Sequence, residues 1–207
     1  MDLTDVVVLV AYGSLILELT VFPIPSEAST LDLLTHGSKD TATSGALSQA
    51  RNRSLANKVL RFLLPTAIGV VLFLLPLLAV LWPPLRQVFF PITLDALGTA
   101  GLVIIITGRL LTFWSVLQLR SAKRRASIPA GLFACSRNPG LVGMFVFYLG
   151  LCLAFGGPWL WLGIPLYFGN MHHRVRLEEA QLTATHGDRW RHYQQRVARY
   201  LPLPGLR

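Results

Sequence analysis

The sequence predicts an all-α fold: a polytopic membrane protein with about five transmembrane helices and a cytoplasmic C-terminal helical segment. Of its 207 residues, 53% are hydrophobic and only 14% are charged. The mean hydropathy is +0.52, which is far too apolar for an ordinary soluble domain of this length. Four long apolar blocks, separated by polar and basic segments, give the helix count.

The apolar blocks cover residues 6–23, 60–82, 94–117 and 141–171. The last block contains Gly-Gly-Pro-Trp at 156–159, and these turn residues predict a helical hairpin with two arms. Each arm is shorter than the roughly 20 residues of a full span, and with the first three blocks the arms give five membrane helices. The N-terminal block carries Asp2 and Asp5 but no Lys or Arg. It is therefore predicted to be a retained helix, because a signal peptide begins with positive charge.

The distribution of positive charge predicts how these helices are oriented. Of the 19 Lys and Arg residues, five lie in the first loop, five between the third and fourth helices, and seven after Met171. Five spans place all three regions on one side, with Arg86 on the other and Arg109 inside the third helix. The positive-inside rule then predicts a cytoplasmic C-terminus and an external N-terminus. Contact with anionic lipid headgroups explains the net charge of +9, so we expect no nucleic-acid partner.

The chain is predicted to have two parts. Residues 1–93 form a two-helix membrane segment with a long basic loop, and residues 94–207 form the membrane core with the cytoplasmic C-terminal segment. The Ser/Thr/Ala-rich stretch at 26–57 has no apolar period and is expected to be partly disordered or to lie on the membrane surface. Cys135 and Cys152 are predicted to be free thiols, since about 25 Å of helix would separate them.

Asn138 and Pro139 stand where a basic segment meets an apolar one. Asn is a preferred N-cap and Pro suits the first helical turn, so this pair predicts a helix start. A helix N-terminus also attracts anions, and Arg137 would assist such binding. Capping and ligand binding are compatible, and both interpretations stay open at this point.

The densest polar stretch covers residues 172–202. If the preceding helix continues, Arg174 and Glu178 share a face at i,i+4, and Arg176 and Glu179 meet at i,i+3. These pairs would suit either a functional site or a solvated helix end. The adjacent His172 and His173 point about 100° apart on a helix and make a poor metal pair, so no metal site is predicted.

Arg109 is the clear charge inside a predicted span. It is a functional candidate by position, or it snorkels to the cytoplasmic headgroups. Gly98, Gly101 and Gly108 on the same helix predict close helix contacts. The chain lacks the glycine-rich dinucleotide and phosphate loops, the H-E-x-x-H zinc motif and the G-x-S-x-G serine motif, which argues against a soluble-type nucleotide domain.

Four motifs follow one another in a fixed order: AGLFACSRNPGLVG from residue 130, RVRLEEAQL from 174, HGDRWRHY from 186 and RYLP from 199. An apolar hairpin separates the first from the second. Together they resemble the isoprenylcysteine carboxyl methyltransferase family and the related phospholipid methyltransferases. The resemblance covers residues 98–202, and in the family's pattern a His stands at Asn138 and a Tyr at Leu141.

The resemblance implies S-adenosylmethionine as methyl donor, bound on the cytoplasmic side of the hairpin, and a membrane lipid or prenylated acceptor that enters from the bilayer. The cofactor-binding residues implied are Gly131, Arg137, Asn138, Pro139, Leu141, Gly143 and Glu179. The catalytic residues implied are Arg174 and Glu178. Asn138 can still donate and accept hydrogen bonds, whereas Leu141 loses the contact that a Tyr ring would make.

The activity expected from this resemblance is carboxyl O-methylation of an isoprenylcysteine. A phospholipid amine is an alternative acceptor, for which Glu178 or Glu179 would have to act as a base. An NADPH-dependent membrane reductase and a non-catalytic membrane protein are further alternatives. The sequence predicts no oligomeric state.

Overall fold

All secondary-structure elements in the described part of the chain are helices, which confirms the all-α part of the predicted fold class. The computed structural model describes residues 2–21, 64–90, 95–124 and 131–201. The helices in these ranges are α1 (Leu3–Val21), α2 (Leu64–Leu81), α3 (Pro83–Phe89), α4 (Asp95–Arg124), α5 (Leu132–Cys135), α6 (Pro139–Phe155), α7 (Pro158–His186) and α8 (Asp188–Arg196). The loop expected at 26–57 and the predicted boundary between residues 93 and 94 lie outside the described residues.

The helix break predicted at 156–159 is confirmed, because α6 and α7 meet there in a tight turn. Gly156 has a φ of 64°, in the left-handed region that glycine adopts without a steric penalty. Its N–H donates to the Cys152 carbonyl at 3.1 Å. Pro158 then begins α7, where a missing N–H breaks no helical bond. With 29 residues, α7 carries the apolar second arm and continues into the polar segment.

Small residues let α4 and α6 pack backbone to backbone, as the glycines of α4 predict. A Cβ added at Gly101 would lie 2.8 Å from the Gly150 carbonyl, and one added at Gly143 would lie 2.6 Å from Oγ1 of Thr112. At Gly108 an added Cβ would overlap the backbone of Phe147. Such close approach is what small residues permit at membrane helix interfaces. It fixes α6 against α4 and so fixes where the N-terminus of α6 lies.

An aromatic cluster holds α1 against α2 and α6. The ring of Tyr12 lies edge-on to Phe73 and Phe147, with centroids 5.3 Å and 5.5 Å away, and Phe73 and Phe147 are 5.7 Å apart. Pairs of this geometry each contribute about 0.5–1.5 kcal/mol beyond the buried area. The Tyr12 hydroxyl also donates to the Phe73 carbonyl, so the buried hydroxyl is satisfied.

Arg109 is buried between α4 and α1, where polar side chains of the first helix bond its guanidinium. Its Nη2 donates to Oε2 of Glu18 at 2.6 Å and its Nε donates to Oγ of Ser14 at 3.1 Å. Arg109 thus joins the N-terminal helix to the core.

By length and composition, one helix among the described residues, Ala96–Ser121, is able to cross a membrane. Two shorter apolar helices, Ala67–Leu81 and Pro139–Phe155, accompany it. Large apolar side chains are also exposed along α1, α2, α4 and α7; examples are Val10, Val71, Leu110 and Leu162. Cys135 and Cys152 are both free thiols, as predicted, the first exposed and the second buried.

Candidate functional site

The candidate site is built around Glu179, a buried carboxylate on α7. Arg199 donates to its Oε2 through both Nε, at 3.0 Å, and Nη2, at 2.8 Å. Nη1 of Arg137 lies 3.4 Å from the other oxygen, Oε1. The side chains of Glu179 and Arg137 are only 8% and 10% exposed, so this is an ion-pair cluster with little access to water. Two guanidinium groups and one carboxylate leave it with a formal charge of +1.

Several polar atoms in and beside this cluster have no hydrogen-bond partner in the described part of the chain. They are Oε1 of Glu179, Nε of Arg137 and Nε1 of Trp190, each shielded from solvent. An unsatisfied buried donor or acceptor typically costs about 1–3 kcal/mol. Within the ion-pair cluster an unused acceptor and an unused donor thus lie on neighbouring side chains, a combination that suits a ligand carrying both charges.

Residues 136–138 and 198–200 bring the two arginines together. Ser136 and Ala198 form an isolated parallel bridge, and the N–H of Arg137 donates to the Ala198 carbonyl at 2.9 Å. These bonds join segments separated by some 60 residues of chain. They place Arg137 and Arg199 on either side of the α7 carboxylate.

Asn138 lies at the predicted N-cap of α6, and Pro139 opens the helix. The predicted capping by the Asn138 side chain is wrong, since it makes no cap hydrogen bond. Its Nδ2 instead donates to the Arg199 carbonyl at 3.1 Å, while Oγ of Ser136 accepts from its N–H at 3.1 Å. The amide is thus used to hold the C-terminal segment against the start of α6.

The electrostatic environment differs between the two arginines. Burial lowers the pKa of Arg137, and the charge of Arg199 lowers it further, although Glu179 acts in the opposite direction. Hydrogen bonding to Glu179 raises the pKa of Arg199 despite its partial burial. Arg199 is therefore well compensated by the carboxylate, whereas Arg137 remains the poorly compensated cation beside it.

Aromatic residues from the later motifs surround the cluster. The hydroxyl of Tyr193 on α8 donates to the Phe133 carbonyl at 2.7 Å, and burial raises the Tyr193 pKa to about 12. The Tyr200 hydroxyl lies 3.1 Å from Nδ1 of His172. These bonds fasten the C-terminal segment to α5 and α7, so both ends of Arg199's segment are held.

The structure brings together three of the residues expected to bind a cofactor: Arg137, Asn138 and Glu179. Pro139 is buried in the first turn of α6, and Leu141 is partly exposed in the same turn. Gly143 does not join them. It faces α4, where a Cβ added to it would lie 2.6 Å from Oγ1 of Thr112, so the glycine permits close helix packing.

Gly131 precedes α5 at a φ of 72°, and a side chain there would overlap Gln118. The Gln118 amide oxygen accepts the N–H of Leu132 at 2.9 Å. A glycine is therefore needed at this position for backbone conformation and packing.

The two expected catalytic residues lie on α7 just before Glu179. Glu178 is exposed, and consecutive helical residues point about 100° apart, so it faces away from the buried cluster. The side chain of Arg174 lies outside what the structure describes. The expected pairing of Glu179 with Arg176 is wrong, because Arg176 is exposed and Glu179 faces Arg137 and Arg199.

Sequence reasoning missed Arg199 as a site residue. Arg199 is the first residue of the RYLP stretch, but that motif alone does not indicate which residue would form an ion pair with it. Among the described residues, no group of three or more His, Cys, Asp or Glu is arranged to hold a metal ion. Comparison of the chain with protein-family models, curated proteins and solved structures finds no match.

Proposed function

We propose that this protein is an S-adenosylmethionine-dependent integral membrane methyltransferase that acts on a lipophilic acceptor, most like carboxyl O-methylation of an isoprenylcysteine. The observation that carries the proposal is the buried Glu179, whose Oε1 lies 3.4 Å from Nη1 of Arg137, while neither Oε1 nor Nε of Arg137 has a hydrogen-bond partner in the described part of the chain. The motif resemblance also supports the proposal, because Arg137, Asn138 and Glu179 occupy positions that it assigns to cofactor binding.

A multi-pass membrane location with a cytoplasmic C-terminus is part of the proposal. Five described helices have 17 residues or more, and 17 residues reach about 25 Å at 1.5 Å per residue. That length nearly matches a hydrocarbon core of about 30 Å. On the proposed outer side, Arg86 pairs with Asp2 at 3.1 Å and Asp5 at 2.9 Å. These two carboxylates neutralise the positive charge of Arg86. The exposed apolar side chains then face lipid.

The residues of the cluster fit the amino-acid portion of the proposed donor. That portion carries an ammonium and a carboxylate on the same carbon atom. Oε1 of Glu179 is an available acceptor for the ammonium, and Nε of Arg137 is an available donor for the carboxylate. Both would be charge-assisted hydrogen bonds, which are about twice as strong as neutral ones. The ligand would satisfy two buried polar atoms at once.

In the proposed reaction, protein residues mainly align the reactants and exclude water. S-adenosylmethionine, when bound, supplies a methyl group from its sulfonium: the O–CH₃ bond forms as the S–CH₃ bond breaks, with the electron pair left on sulfur. In this proposal Arg174 would hold the acceptor carboxylate, and Glu178 would orient Arg174. An ionised carboxylate needs no general base, and the products are a methyl ester and S-adenosylhomocysteine.

A specific observation also favours a second candidate, a non-catalytic membrane protein that keeps the fold. Arg199 already satisfies Oε2 of Glu179, and the Asn138 amide is used by the Arg199 carbonyl. These contacts would serve equally to fasten the C-terminal segment to the membrane core. In that case the unpaired atoms would be an unused remnant of the cluster.

Calorimetric titration of the detergent-purified full chain with S-adenosylhomocysteine tests the proposal. We expect saturable binding that Glu179→Gln weakens roughly tenfold or more, about 1.4 kcal/mol, because one charge-assisted hydrogen bond is lost. Asn138→Ala should also weaken it. Asp188→Asn is the matched control, since Asp188 forms an exposed surface pair with Arg191 on α8.

Binding by the wild type that both site variants weaken and the control retains would support the donor site. Folded wild-type protein that binds NADPH instead would support the reductase alternative, and protein that binds neither would support the non-catalytic one. Methyl ester formation on a farnesylated cysteine, compared with methylation of phosphatidylethanolamine vesicles, then separates the two acceptor classes.

A further inference from the structure

Arg199 contacts the candidate site with both its side chain and its backbone. Its guanidinium binds Glu179 on α7, and its carbonyl accepts from the Asn138 amide at 3.1 Å and from Oγ of Ser136 at 3.4 Å. The preceding carbonyl, from Ala198, accepts the N–H of Arg137. The position of Arg199 is thus fixed by the same residues that form the rest of the cluster.

Arg199 bonds one oxygen of Glu179, and the other oxygen has no hydrogen-bond partner in the described part of the chain. A carboxylate beside a free guanidinium would normally accept two parallel hydrogen bonds from it, because this bidentate form is the strong one. Such a pair with Arg137 would occupy both Oε1 and the donors facing it. In the structure Arg137 stays 3.4 Å from Oε1 with its Nε unpaired. Two N–H groups of Arg199 hold the opposite oxygen, Oε2, at 2.8 and 3.0 Å.

We infer that Arg199 is a positioning residue for the donor: by holding Oε2 of Glu179 it leaves Oε1 without a hydrogen bond, as an acceptor for the ammonium of an amino-acid ligand. The inference rests on the proposed function and adds the part that the C-terminal segment plays in it. Arg199 acts through Glu179 and does not touch the reacting atoms. Its absence should therefore raise the KM for the methyl donor and leave kcat at saturating donor little changed.

The test compares wild type, Arg199→Gln and Arg196→Gln as full chains in detergent. S-adenosylhomocysteine affinity is measured by calorimetry, and the KM for S-adenosylmethionine and kcat are measured with a farnesylated cysteine acceptor. We expect Arg199→Gln to weaken binding and raise KM roughly tenfold, with kcat within about threefold of wild type. Arg196 is exposed in the last turn of α8, so Arg196→Gln should leave both parameters unchanged.

A double variant separates positioning from general stabilisation. If Arg199 acts through Glu179, then Glu179→Gln combined with Arg199→Gln should bind about as weakly as Glu179→Gln alone. Additive losses would overturn the inference, as would wild-type affinity in folded Arg199→Gln protein. Either result leaves the proposed function standing, whereas failure of the wild type to bind S-adenosylhomocysteine overturns both.

Arg199→Lys decides the matter if Arg199→Gln does not fold. Lysine keeps the charge but loses the planar fork that bonds Oε2 through two N–H groups. We expect a donor affinity between those of wild type and Glu179→Gln. Wild-type affinity in the lysine variant would overturn the inference, because a point charge would then suffice without fixing the carboxylate.

Discussion

Glu18 and Arg109 form an ion pair inside the apolar body of the protein, with Oε2 and Nη2 separated by 2.6 Å. Each side chain is only 7% exposed, and Nη1 of Arg109 has no hydrogen-bond partner in the described part of the chain. The pair joins the first helix to α4, which also carries the packing surface for α6. The buried charge on each of these helices is therefore compensated only when the other helix is packed against it.

Removing one member of this pair should destabilise the protein more than removing both. Glu18→Gln and Arg109→Gln each leave a buried polar group poorly compensated, and we expect each to cost about 3–5 kcal/mol. Glu18→Leu combined with Arg109→Met removes both charges, and such replacements are often neutral. Thermal unfolding in detergent, followed by circular dichroism, measures all three variants. A double variant less stable than either single variant would contradict the argument.

Local features of the fold were predictable because neighbouring residues determine them. The Gly-Gly-Pro sequence favours the end of α6 and the start of α7 through local backbone preferences, and small residues on α4 permit close packing. The partner of Arg109 was not predictable, since Glu18 lies 91 residues away. The sequence also does not show against which helix the first helix packs. The sequence instead left two interpretations of Arg109 open, a functional residue and a side chain that snorkels to the headgroups.

The close contact of α4 with α6 predicts a sharp difference between two glycines. An added Cβ at Gly108 would overlap the Phe147 backbone, whereas one at Gly13 meets nothing within 4 Å. Gly108→Ala must push the helices apart, and overpacking of this kind typically costs about 1–3 kcal/mol. Gly13→Ala should be neutral or gain up to about 1 kcal/mol from helix propensity. Thermal unfolding of both variants checks this, and equal stabilities would argue against the close packing.

The proposed orientation can be tested with the protein's own thiols. Cys135 is exposed and Cys152 is buried, and the chain has two cysteines. A cytoplasmic Cys135 should resist a membrane-impermeant maleimide in intact cells and react in inverted membrane vesicles. Cys152 should react only after denaturation. Cys135→Ser supplies the control by abolishing labelling of the native protein.

Labelling of Cys135 in intact cells would place α5 outside and reverse the orientation proposed from the positive charges. Absence of labelling in both preparations, with labelling after detergent extraction, would instead place Cys135 within the membrane. Either result would conflict with a donor site that faces the cytoplasm. The orientation test is therefore independent of any measurement of activity.

The site was predictable in part, and its limits have a physical cause. Arg137, Asn138 and Glu179 could be chosen because motifs fix residue types at known places. The i,i+3 rule assigned Arg176 as the partner of Glu179, since it considers one helix at a time. The true partners come from other segments, and Arg199 lies 20 residues further along the chain. Only the tertiary pairing of residues 136–138 with 198–200 determines that contact.

Adjacent glutamates on α7 should have separable roles. Glu179 is buried in the cluster and Glu178 is exposed, so the proposed mechanism assigns donor binding to the first and acceptor orientation to the second. Glu178→Gln should lower turnover at least about tenfold, or about 1.4 kcal/mol of barrier, without weakening S-adenosylhomocysteine binding. Arg174→Ala should lower turnover by a similar factor. Steady-state kinetics with a farnesylated cysteine, combined with calorimetry, measures both effects.

Arg176→Gln is the control for these two variants, because Arg176 lies on the same helix with an exposed side chain and has no assigned role. It should keep wild-type turnover and wild-type donor affinity. Folded Glu178→Gln and Arg174→Ala proteins with unchanged turnover would remove both residues from the catalytic account. Loss of donor affinity in Glu178→Gln would instead place the Glu178 carboxylate in the donor site. A residue that only orients Arg174, which holds the acceptor, should leave donor binding unchanged.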